Sequence, residues 1–153
     1  MGTPPSPDTA HSGRSRTPAA VARSALAVVL AQTVYVGFWA AAAPGSFARS
    51  FPGWGLSWIA RSEPVDPHFV TDVGLLHLAL LVMAVEAWRR RVPLQALGLA
   101  WSVYAVPHLA YHVAHTTGLS RVDIATSLSA LAISAAAGLV LIIAGSGQAT
   151  ARP

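Results

Sequence analysis

The chain has 153 residues, 54% of them hydrophobic and only 10% charged, where an ordinary soluble domain carries roughly a quarter charged. Its ten arginines and six acids, with no lysine, are too few to give long apolar runs a soluble surface. That excludes a water-soluble globule and leaves one membrane-embedded domain, with no room for a separate soluble enzyme module. The net charge of +4 does not point to nucleic acid, because the arginines punctuate the apolar runs and do not gather on one polar face. Cysteine is absent, so disulfides, thiolate metal sites and thiol catalysis are excluded.

Residues 1–18 hold Pro4, Pro5, Pro7 and Pro18 among Ser, Thr, Gly and Arg. They bury too little to offset the entropy of ordering, and a disordered cytoplasmic tail is expected. A transmembrane domain over 19–146 and a short cytoplasmic tail over 147–153 follow. The first span, about 24–43, is free of charge and preceded by Arg14, Arg16 and Arg23. Ala41 to Ala43 would suit signal cleavage, but the run is too long for a signal core and Pro44 would follow the cut, so retention is expected. The Pro- and Gly-rich stretch 44–66 spaces Phe47, Phe51, Trp54 and Trp58 nearly helically, as an interfacial segment, a lid over a site, or both.

Asp66 followed by Pro67 is a helix start, giving a second span over 67–88 that ends at Arg89-Arg90-Arg91. Glu86 is spaced to pair with Arg89 or Arg90. Pro93 opens a third span, 93–117, closed by Gly118. Ser120 and Asp123 have capping-box spacing, with Asp in place of Glu or Gln, ahead of a fourth span over 121–145. Ala130, Ser134 and Gly138 form a small-residue row that marks close helix packing. The fold class is thus all-α, an integral membrane four-helix bundle. Arginines 14, 16, 23, 89, 90, 91 and 152 fall on one side and 49, 61 and 121 on the other. The positive-inside rule therefore places both termini in the cytoplasm of a multi-pass plasma-membrane protein.

Five of the six histidines, with Asp72, lie in or beside the second and third spans. At about 100° per residue His108, His112 and His115 share a wedge of roughly 60°, and Trp101 and Tyr104 extend that stripe. Pro107 removes a backbone donor, so a kink or a freed acceptor is expected beside His108. His68 and Asp72 share a face of the second helix, while His77 is about 140° round from Asp72. Antiparallel neighbours would set His68 level with His115 and Asp72 level with His112, making one polar column open to the extracytoplasmic side. An acid inside a bilayer needs a partner. Imidazole with carboxylate suits Zn, Cu(II) or non-haem Fe. The expected metal site is His68, Asp72, His108, His112 and His115, with Asp72 as ligand or general base.

Pro67-His68-Phe69-Val70-Thr71-Asp72-Val73-Gly74 and Val106-Pro107-His108-Leu109-Ala110-Tyr111-His112-Val113-Ala114-His115 resemble small four-helix integral membrane proteins of actinobacterial type, loosely DoxX-like. The likeness spans about residues 47–123. It implies that the H-x3-D-x-G and P-H-x3-H-x2-H elements are a family signature, and that an aromatic residue would be as typical at His77, but it supplies no reaction. Three functional classes stay open. One is a metal site, or a metalloenzyme acting on a lipid-like substrate. Another is a non-catalytic membrane subunit, in a homo-oligomer or with a membrane partner, or a proton-linked carrier using titratable histidines. The third is a bis-histidine haem protein.

Overall fold

A computed structural model describes residues 16–59 and 65–149. Among the described residues the regular structure is helical apart from one short hairpin. In order come α1 (Arg16–Ala42), α2 (Pro44–Ser50), β1 (Pro52–Gly53), β2 (Leu56–Ser57), α3 (Pro67–Trp88), α4 (Leu94–Ala114) and α5 (Arg121–Ala149). Residues 1–15, most of the expected N-terminal tail, lie outside the described residues, as do Arg61 and Arg152.

Among the described residues three helices are long and apolar enough to cross a bilayer, within Ala19–Ala42, Pro67–Trp88 and Arg121–Gly147. Phe38, Leu76, Val82, Val103, Ile133 and Ile143 are each more than half exposed. Water would not tolerate so many large apolar side chains facing outward, but lipid does. α4 is not among the three candidates, since Gln95, Ser102, His108 and His112 dilute its apolar character.

The local signals act as their chemistry requires. The Asp66 carboxylate accepts from the His68 amide at 2.8 Å and Pro67 opens α3. The N–H of Arg90 donates to the Ala87 carbonyl (3.0 Å) and that of Arg91 to the Glu86 carbonyl (2.8 Å), with Arg90 itself at φ 61°. This is a Schellman ending with arginine where glycine is usual, and the left-handed backbone costs it about 1–2 kcal/mol. Ser120 Oγ accepts from the Asp123 amide (3.1 Å) and donates to the Asp123 carboxylate (2.6 Å). Ser120 thus caps α5 and is joined side chain to side chain with Asp123.

Several boundaries differ from expectation, and α5 runs on to Ala149, past residue 145 and into the expected tail. α1 begins at Arg16, well before residue 24, and ends at Ala42, where Pro44 starts a separate helix. α4 runs unbroken through Pro107 but stops at Ala114, so His115 is its cap and not a helical residue.

The larger difference is in packing. α3 was expected beside α4 but packs along α1, while α4 packs along α5, and α1 meets α5; the α3–α4 seam is sparse. Glycine is the reason. A Cβ on Gly74 would strike the Ala41 and Ala40 backbone, which presses α3 onto α1. A Cβ on Gly98 would come within 2.7 Å of the Ile142 nitrogen, and one on Gly145 would strike Gln95, so α4 is equally tight on α5. Such close approach is how helices associate where lipid supplies no hydrophobic drive. Val29, Ala84, Leu97, Trp101 and Leu141 fill the core of the half where α3 ends and α4 begins.

Candidate functional site

The opposite half is not filled. A cavity of about 660 Å³ lies between α3 and α4, with α1 and α5 forming its back. Ala130 explains where it starts. In the small-residue row of α5, Gly138 is pressed on Ser102 and Trp101, and the Ser134 carbonyl accepts from Trp101 Nε1 at 3.1 Å. Ala130, two turns nearer the hairpin end, faces open space and lines the cavity.

One wall is a file of rings. Trp101 and His77 meet edge to face with centroids 6.2 Å apart, and His77 meets Tyr104 likewise at 5.0 Å. Tyr104 stacks on His108 at 5.1 Å, and His108 lies 4.8 Å from His112. His77 is buried, and its Nδ1 pairs with the Val73 carbonyl at 2.8 Å. That bond requires the Nδ1–H tautomer and leaves Nε2 as a free acceptor. His115 closes the file at the mouth, with Nδ1 on the Tyr111 carbonyl (2.8 Å) and its ring stacked on Tyr111 at 4.0 Å. Across the cavity the Gln32 side-chain oxygen of α1 is buried with no hydrogen-bond partner among the described residues.

The mouth is covered by the segment after α1. Phe47, Phe51 and Trp58 line the cavity, so the lid expectation holds for three of the four aromatics, whereas Trp54 at the hairpin tip is 85% exposed. The lid is tied at both sides. Tyr35 donates its hydroxyl proton to the Pro52 carbonyl (2.8 Å). Trp58 Nε1 donates to Thr126 Oγ1 (3.2 Å), and the Ser57 amide donates to Asp123 Oδ1 (3.4 Å). The Asp123 carboxylate thus ties the Ser120 cap of α5 to the hairpin.

His68 and Asp72 stand elsewhere. They pair with each other, Nε2 to Oδ2 3.5 Å, with side chains 75% and 47% exposed, and neither lines the cavity. Among the described residues no group of three or more His, Asp or Glu side chains is gathered closely enough to hold a metal ion. The expected five-residue set is therefore split, with His108, His112 and His115 on the cavity and His68 and Asp72 outside it. His77, whose place its spacing leaves open, is the histidine that α3 contributes. The glycine at 74 accounts for the change. With Gly74 turned to α1, Asp72 is about 160° away on the outer surface, whereas His77 is only about 60° away and Val73 about 100°, both toward α4. His77 meets Tyr104 across the α3–α4 gap; the expected pairing departs in the face of α3.

Chemically the cavity offers flat apolar surfaces, imidazole nitrogens that donate or accept by tautomer, and a carbonyl oxygen in want of a donor. No family model matches the chain, and no curated protein or solved structure matches it.

Proposed function

We propose that the protein is a four-span membrane protein whose cavity binds a membrane-soluble amphiphile, one with a flat ring bearing hydroxyl or keto oxygens. The fourth crossing rests on α4. Its 21 residues extend about 32 Å, enough for a hydrocarbon core of about 30 Å. It is also sealed along α5, so if α5 crosses, α4 returns beside it, with its histidines turned to the cavity and away from lipid.

The observation that carries the ligand is the Gln32 oxygen, unpartnered among the described residues, facing a wall of His77, Tyr104, His108 and His112 across an otherwise largely apolar space. A buried acceptor without a donor costs stability on the order of 1–3 kcal/mol, which a ligand hydroxyl would recover. Ring faces on Phe51 and Trp58 suit a flat ligand. The size suits one as well, since ligand sites run to roughly 300–1,000 Å³. Haem fits less well. His77 and His108 are the cross-helix pair, and the Tyr104 ring sits against both, leaving no flat slot between them.

The full-length protein in lipid nanodiscs, titrated with a short-tailed naphthoquinone and its quinol, tests this through quenching of Trp58 and Trp101. Saturable quenching is expected, weakened about tenfold or more by Ala130→Phe, which fills the cavity. Quenching that rises linearly with probe and is equal in both proteins overturns the reading. A second reading keeps the divalent metal. His108 and His112, four apart with adjacent rings, supply two imidazoles to Zn, Cu or Fe, the other positions falling to the ligand or water. Its signature is stoichiometric metal by elemental analysis, lost in His112→Ala.

A further inference from the structure

At the other end of the bundle a second cleft, about 770 Å³, opens between the start of α1, the α3–α4 turn and the end of α5. Its floor is apolar, with Ala22, Leu26 and Ala87, and its rim carries Arg23, Arg90 and Arg91. Arg91 shares Glu86 with Arg89 at 3.3 and 3.1 Å. No carboxylate among the described residues pairs with Arg23 or Arg90. Arg90 sits at the one position of the turn where glycine would be unstrained, and its guanidinium joins the rim for that backbone cost. Trp88, 55% exposed, stands beside it, the residue type that settles at headgroup depth.

We infer that this cleft is a binding site for the phosphate of an anionic phospholipid, with Arg23, Arg90 and Arg91 on the headgroup and the acyl-glycerol portion on the Ala22–Leu26–Ala87 floor. The site is distinct from the cavity and rests only on the helices lying in a bilayer. Guanidinium pairs with phosphate oxygens through two parallel hydrogen bonds, and basic clefts between helices at a membrane face hold anionic headgroups in this way. A free phosphate would use the same arginines but would gain nothing from an apolar floor.

The test is native mass spectrometry of the full-length protein with phosphatidylglycerol or phosphatidylcholine added to detergent, repeated with inorganic phosphate as competitor. Wild type is expected to retain phosphatidylglycerol preferentially. The double variant Arg23→Gln/Arg90→Gly should lose about thirtyfold of that preference, each arginine near an anionic surface contributing on the order of a factor of five. Inorganic phosphate at millimolar concentration should not displace the lipid. Equal preference in wild type and variant overturns the site, as does no preference in wild type. Displacement by phosphate alone overturns the lipid assignment. Should the double variant unfold in phosphatidylcholine, Arg23→Gln alone carries the same comparison with about a fivefold loss.

Discussion

Where α1 meets α3 and α4 meets α5, glycines let backbones touch; where α3 faces α4, rings hold the helices apart. The first kind of seam has no spare volume, and its partners are fixed in rotation as well as distance. The second tolerates a cavity because its contacts are between side chains, and the glycine seams already hold the helices on either side. A polar site in a small bundle is made less by attracting its residues to each other than by committing the remaining helix faces elsewhere. The sharpest way to break this contrast is Gly74→Leu. Its side chain has no room against the Ala40–Ala41 backbone, and overpacking of this kind should cost about 3 kcal/mol or more, read from unfolding in mixed micelles. A variant as stable as wild type would mean that the α1–α3 seam is not set by backbone contact.

The sequence shows helix ends clearly because their chemistry is local. Asp66-Pro67, the arginine turn and the Ser120/Asp123 box each satisfy backbone groups within a few residues, and each stands where it was read. The rotation of α3 is a different matter. Depth and residue type group His68 and Asp72 with the third-span histidines, but neither says which way a helix turns. Gly74 held that information, as the one residue of the motif whose lack of a side chain is its function. With Gly74 on the contact face of α3, His77 falls in the site and Asp72 outside it. The split of the first span from α2 was also readable in Ala43-Pro44, but the hairpin was not. Trp54 and Gly55 take positive φ at its tip, and tryptophan carries no local preference for that turn.

Asp123→Ala sharpens the comparison at the lid. The carboxylate accepts from the Ser120 hydroxyl and the Ser57 amide, while the Ser120 cap itself stays on the residue-123 amide, so its removal should cost about 1 kcal/mol, as a lost hydrogen bond does, and speed hydrogen exchange at the Ser57 amide. The α1–α3 seam, remote from it, should keep its protection. If exchange at Ser57 is unchanged, the hairpin is held by Tyr35 and Trp58 without the acid.

The smallest effect tests the largest change from expectation. Asp72→Asn and His68→Ala alter an exposed pair, and pairs of that kind contribute about 0–1 kcal/mol. Each variant should therefore unfold within about 0.5 kcal/mol of wild type and quench with the naphthoquinone as wild type does. His77→Phe keeps the ring's bulk against Trp101 and Tyr104 but removes both nitrogens, so it should weaken binding while leaving the helices packed. The opposite order, with Asp72→Asn losing the ligand and His77→Phe retaining it, would require α3 to be turned by nearly half a revolution. Gly74 would then face away from α1, and the seam that opens the cavity could not form.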